Sequence, residues 1–204
     1  MADFTSSLHL NGFHPTLDVR ILYEEPTDCT SIIFLDLPPE VLVDRFELAN
    51  YAAEYSFHLL GPSNVELPVV ALANETSHLM LEITPEDSLY RQVTIPLHLR
   101  YPEVGTDDYV AVTFPAPHGY LACPLPEEEN VTDKSVPIEF AHILTSSRLT
   151  SLGTPQEAFT LKIPAGNSLH TPRVEAGTSI LILLCCVYMA YKSFATVNRL
   201  SNSR

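Results

Sequence analysis

Positive charge is what this sequence has least of. Eleven lysines and arginines stand against 25 aspartates and glutamates, for a net charge of −14. A chain so poor in cations has no basic stripe to neutralise phosphates, which argues against nucleic acid as a partner. Glycine is scarce too, at 7 residues, and no Gly-x-Ser-x-Gly elbow, phosphate-binding loop or dinucleotide fingerprint is present. The eight histidines are scattered, and none forms His-x-x-x-His, His-Glu-x-x-His or a Cys/His zinc spacing. Asp107-Asp108 stands without the other positions of a calcium loop, and the metal-holding Asp-x-Asp of glycosyltransferases is missing. The residues point to no catalytic centre, metal or cofactor. The first eleven residues lack both a basic n-region and an apolar h-region, so they do not read as a secretory signal peptide.

What the sequence does have is one long uncharged stretch, Ala176 to Tyr191, between Glu175 and Lys192. From Ile180 to Met189 only Tyr188 breaks the apolar run, so the stretch lacks the polar face of a core helix in a soluble domain. At about 1.5 Å per residue it covers about 24 Å, short of a hydrocarbon core of about 30 Å. Lys192 can snorkel outward along its stem, and Phe194, Ala195 and Val197 extend the segment. A transmembrane helix over 176–195 then suits a thin membrane such as that of the endoplasmic reticulum. Residues 165–175 form a juxtamembrane linker and 196–204 a short tail.

The charges are divided unevenly about that helix. Lys192, Arg199 and Arg204 follow Tyr191 with no acid among them; since the whole chain carries −14, the part before carries −17. Basic flanks tend to stay cytosolic, which puts the large acidic part across the membrane. Asn74-Glu-Thr and Asn130-Val-Thr are acceptor sequons and favour the same side. The N-terminus argues the other way, since a tail-anchored chain with its bulk in the cytosol needs no signal peptide.

Residues 1–164 suit one domain large enough for a real core. Seventeen prolines disfavour long helices within it. Alternation of apolar and polar residues predicts short strands at Leu17–Leu22, Thr30–Leu37, Tyr55–Leu60, His78–Ile83, 92–101 and Tyr109–Phe114. Glu66–Ala73 is a further short run of the same standing as His78–Ile83, and 136–144 and 158–164 are weaker candidates. Glu40–Leu48 reads as a helical turn or irregular chain, and Pro96 implies an edge or a bulge. His118-Gly-Tyr reads as a turn, and His98, among apolar neighbours, as structural. Strands at this spacing predict a mainly β, sandwich-like domain. Cys29 and Cys123 either pair in an oxidising compartment or lie buried as free thiols. Cys185 and Cys186 sit in the apolar helix.

Several segments together resemble one family. They are Gly12-Phe-His14; Leu37-Pro38 followed by Val43-Asp-Arg-Phe-Glu-Leu48; Ile95-Pro-Leu-His-Leu-Arg-Tyr101; and Ile163-Pro-Ala-Gly166 shortly before one C-terminal apolar helix. The chain is similar in these to the PIG-X family, the accessory subunits of glycosylphosphatidylinositol mannosyltransferase I. The resemblance makes Leu37, Pro38, Asp44, Glu47, Leu48, Pro96, His98, Arg100 and Tyr101 the family motif residues, with no catalytic role carried over to them. Asp44 and Arg100 either pair with each other or face a partner. The resemblance implies a single-pass protein of the endoplasmic reticulum membrane with a lumenal domain. It also implies a PIG-M-like multi-spanning partner that adds the first mannose, and a stabilising rather than a catalytic role. Two other readings are a tail-anchored cytosolic adaptor and a membrane-tethered hydrolase; the latter needs a nucleophile beside a base, and the sequence offers none.

Overall fold

A computed structural model describes residues 3–72, 74–85, 88–124, 140, 143–144, 147–154 and 156–202. Asn130, Arg204 and most of the 136–144 strand candidate lie outside them. The elements in chain order are β1 (Asp3–His9), β2 (Thr16–Leu22), β3 (Thr30–Leu37), β4 (Val41–Leu42), α1 (Arg45–Leu48), β5 (Ser56–Leu60), β6 (Ser77–Ile83), β7 (Tyr90–Pro96), β8 (His98–Leu99), β9 (Tyr109–Phe114), β10 (His118–Pro124), β11 (Ser147–Leu152), β12 (Phe159–Pro164) and α2 (Thr171–Ser201). The protein is mainly β, with one long apolar helix at the C-terminal end. Two compact units are distinguishable: residues 1–103 with 109–164, and residues 104–108 with 165–204.

In the first unit the strands form a three-stranded sheet, β1-β2-β7, a five-stranded sheet, β11-β10-β3-β6-β5, and the pairs β9–β12 and β4–β8. All these pairings are antiparallel. The alternation in β2 works as read: Leu17, Val19 and Ile21 are fully buried while Arg20 faces solvent. The continuous apolar run of β3 has another cause. Ile33, Leu35 and Leu37 join the main core with Leu79 and Leu81 of β6 and Val93 and Ile95 of β7. Ile32 and Phe34 point to the opposite face, where Met80, Tyr120, Phe140 and Leu149 make a second cluster. A strand covered on both faces has no polar side to alternate with.

Five segments depart from the sequence reading. His118-Gly-Tyr begins strand β10 instead of making a turn. Gly119 is there for close approach, because a Cβ on it would lie 2.5 Å from the ring of Phe4. The described residues 66–72 hold a 3-10 turn, Val69–Leu72, instead of a strand; Pro68 cannot donate to a ladder and its carbonyl accepts from Ala71 N at 3.0 Å. Strands β1 and β11 carry too few apolar residues to read from sequence: Phe4 is the buried residue of β1, and Leu149 and Leu152 those of β11. The single run expected over 92–101 is two strands, since the ladder changes partner after Pro96, from β7 on β2 to β8 on β4. Pro96 closes an edge strand, where a missing N–H is tolerated.

In the second unit α2 starts at Thr171, five residues before the uncharged stretch, with Pro172 in its first turn, where proline is pre-set for a helix. Asn167 organises the entry. Its Oδ1 accepts from Leu169 N at 2.9 Å, and its Nδ2 donates to Thr106 O and Asp108 Oδ1. Gly105 N donates to Gly166 O at 3.0 Å, and Ser168 N to Gly105 O at 2.8 Å. Helix α2, with the turn before it, is long and apolar enough to cross a membrane. Lys192 Nζ lies 5.6 Å from the centroid of the Tyr188 ring, four residues before it.

Candidate functional site

The segments Gly12–His14, Leu37–Leu48 and Ile95–Tyr101 converge although they are far apart in the chain. The β7–β8 segment runs between two others: Leu97 N donates to Pro15 O, Leu99 N to Phe13 O, and Arg100 N to Glu40 O, at 2.9, 2.9 and 2.8 Å. This brings Gly12–His14, the residues after Leu37-Pro38 and the Pro96–Tyr101 motif to one place. Leu37 and Leu48 supply buried anchors, each 0% exposed. The carbonyl of Pro38 accepts from Val41 N at 2.9 Å, turning the chain into β4. Asp44 is the N-cap of α1, its Oδ1 accepting from Phe46 N at 2.8 Å, as a short acidic side chain at a helix start does. The cap fixes the first turn, which sends Leu48 inward and Glu47 toward β8.

Glu47 Oε2 meets His98 Nε2 at 2.5 Å, and His98 Nδ1 meets His14 Nδ1 at 2.9 Å. The two imidazoles are edge to face, centroids 4.8 Å apart. One proton lies between the two Nδ1 atoms. Both ring nitrogens of His98 are thereby engaged, and the triad ties α1, β8 and the N-terminal segment together. Beside it Tyr101, 71% exposed, packs its ring 4.4 Å from that of Phe13.

Arg100 is 5% exposed. Its Nη1 donates to Asn64 O at 2.8 Å and Leu67 O at 2.6 Å, holding the 64–67 loop from beneath. Asp44 does not pair with it: the Asp44 carboxylate caps α1 while Arg100 bonds carbonyls. Arg100 Nε is buried without a hydrogen-bond partner among the described residues, and burial lowers the guanidinium pKa from its ordinary value. Arg100 is one of the residues lining a cavity of about 460 Å³, together with Leu42, Asp44, Val65, Glu66, Leu67, Pro68, His98, Leu99 and Tyr101. The 64–68 wall escaped the sequence reading. Its signal is Asn64, whose Oδ1 accepts from Glu66 N at 3.0 Å in an Asx turn, ahead of Pro68. Nearby, Tyr55 is 3% exposed and donates to Thr94 O at 3.4 Å. Burial, followed by Tyr51, Glu54 and Glu47, pushes its phenol well above the ordinary range.

The other candidate residues lie apart from this cluster. Asn74 is exposed, with a left-handed φ of 62°, and Thr76 of its sequon is exposed as well. Cys29 and Cys123 are joined, with a Cα–Cα distance of 4.4 Å. Cys185 and Cys186 are free and exposed on α2. No group of three or more His, Cys, Asp or Glu side chains among the described residues is placed to hold a metal.

Comparison with known proteins gives consistent matches. The family model described as PIG-X / PBN1 matches residues 10–194. Protein pbn1 of Neurospora crassa is 25% identical over 224 residues, covering 94% of this chain and 43% of that protein. Protein pbn1 of Schizosaccharomyces pombe is 25% identical over 191 residues, covering 87% of this chain and 55% of that protein. Protein PBN1 of Saccharomyces cerevisiae is 26% identical over 213 residues, covering 93% and 45%. The chain thus spans about half the length of the curated relatives it matches.

Proposed function

The chain belongs to the PIG-X / PBN1 family, and from that premise we propose that it acts in glycosylphosphatidylinositol-anchor biosynthesis as a non-catalytic accessory subunit. Its partner is the multi-spanning mannosyltransferase that adds the first mannose in the endoplasmic reticulum membrane, and its large domain is lumenal. The observation that carries the reading is the state of the motif residues. Leu37, Leu48 and Arg100 are buried, Asp44 caps a helix, and His98 has both nitrogens bound within the chain. Such residues build and hold a surface. Two further features support the reading: an apolar helix able to anchor that surface at a membrane, and the net −17 of the chain before the basic tail. A subunit that binds only the folded transferase raises its abundance by mass action.

The test is to measure transferase abundance and activity per transferase molecule in cells lacking this chain. Abundance falls several-fold while activity per molecule holds. Normal abundance with collapsed activity per molecule would overturn the stabiliser reading and point to a direct part in the transfer.

A further inference from the structure

Helix α2 does not hang from a loose tether. The loop 104–108 is fastened across its entry. Gly105 bridges to Asn167 in parallel, and Ala165 N donates to Asp108 O at 2.9 Å, beside the Gly105–Gly166 and Ser168–Gly105 bonds. The Asn167 side chain reaches Thr106 O across 61 positions. These bonds make loop and helix entry one collar. Its backbone polar groups are spent inward, while apolar side chains face out: Val104 is 63% exposed, Leu169 74% and Val174 63%. One side of Val104 rests on Gly166, where a Cβ would come within 3.2 Å of Val104 Cγ2. Depth follows from the helix rise. About 20 residues cross a hydrocarbon core of about 30 Å, so a core that ends between Lys192 and Ala195 begins between Pro172 and Ala176. Leu169 then stands about 5–10 Å beyond it at 1.5 Å per residue, which is the depth of the headgroup layer.

We propose that the collar is a second membrane-contact site, with Val104 and Leu169 seated in the headgroup layer of a zwitterionic phospholipid leaflet. Apolar side chains at that boundary gain by leaving water. Lipid is the occupant because the patch continues the apolar surface of the span. The charges that interrupt it are Glu175 and Arg173, and Arg173 can snorkel along its stem. Charge selects the kind of lipid. Exposed Asp107, Asp108 and Glu175 stand against Arg173 and His170 in this region. Carboxylates attract the ammonium of a zwitterionic headgroup and Arg173 its phosphate, whereas an anionic surface would repel the three acids. The inference rests on reading α2 as a membrane span, and it does not depend on which protein the chain assists.

The experiment attaches a fluorophore at one cysteine at a time in the full-length chain, with Cys185→Ala and Cys186→Ala removing the free thiols. Val104→Cys, Leu169→Cys and, as a reference within the span, Leu181→Cys all replace exposed residues. Each labelled chain is reconstituted in phosphatidylcholine vesicles whose lipid carries a spin label either at the headgroup or deep in the acyl chain. Probes at 104 and 169 lose emission chiefly to the headgroup label, and the probe at 181 chiefly to the acyl label. Quenching at 104 and 169 by aqueous iodide alone, with 181 still quenched by lipid, would overturn the collar contact and leave the span intact. A probe at 181 that no lipid label quenches would mean that α2 does not span, and both readings fall. Headgroup quenching at 104 and 169 that appears only when phosphatidylserine is added would overturn the zwitterionic assignment. Shielding from iodide that requires a co-reconstituted multi-spanning protein would make the collar a protein contact and overturn the proposal.

Discussion

A methyl group at position 119 has nowhere to go. The Cβ of an alanine there would stand 2.5 Å from Phe4 Cδ2 and 2.6 Å from its Cε2, well inside contact distance. Phe4 is itself 4% exposed and part of the main core, so its ring cannot swing into solvent without exposing apolar surface. Gly119→Ala should destabilise the domain by about 1–3 kcal/mol, the usual range for overpacking. That lowers Tm by roughly 2–4 °C per kcal/mol for a domain of this size, read by calorimetry or a thermal-shift assay. Phe4→Leu in the same chain should restore part of the loss, because the two sites share one volume. A Gly119→Ala variant that melts like the parent would mean the two groups are not packed together.

The element most dependent on a single side chain is α1. Four residues cannot hold a helix by their own propensity; Asp44 at one end and buried Leu48 at the other fix it. Asp44→Ala should cost about 1 kcal/mol, in the range for a lost N-cap, and should loosen the Glu47–His98 contact. Asp44→Asn keeps an acceptor and should cost little. Comparing the two by melting and by the imidazole signals of His98 separates the cap from the charge. Equal losses in both variants would point to the negative charge instead. This element marks how far the sequence was legible. Leu17, Val19 and Ile21 announce their strand because one face is wet. The motif residues of 43–48 and 95–101 could be singled out by resemblance, but not what joins them. Nothing in a linear pattern tells that His98 bonds His14 across 84 positions, or that Arg100 holds carbonyls of a loop named by no motif. Gly119 misread as a turn has the same root, since a glycine before an aromatic residue is silent about what ring lies over it.

For the molecule as a whole, the covalent bridge and the sugar sites are coupled to compartment. Cys29 precedes β3 and Cys123 lies in β10, and these two strands are neighbours in the five-stranded sheet. The bridge closes a separation of 94 residues, worth roughly 4 kcal/mol or more in the chain-entropy estimate. With the domain in the lumen, denatured but unreduced protein should show neither Cys29 nor Cys123 open to alkylation. Asn74, exposed at its left-handed turn, should carry a glycan that endoglycosidase removes with a shift in gel mobility. An Asn74→Gln, Asn130→Gln chain should show no shift. Digestion of the large domain by protease added outside intact microsomes would reverse the orientation.

The outer edge of the three-stranded sheet leads to a consequence of a different kind. Strand β1 pairs with β2 on one side. On the other, Gln156 serves where a neighbouring strand would: its Oε1 accepts from Ser6 N at 3.0 Å and its Nε2 donates to Phe4 O at 2.8 Å. The clasp spans 150 positions. At a synthesis rate of about 5–20 residues per second, roughly 8–30 s separate the emergence of β1 from that of its latch. Through that interval the strand is an open template for any extended chain nearby. The time of greatest hazard for this protein is therefore fixed by translation, and it ends only shortly before the apolar helix is made.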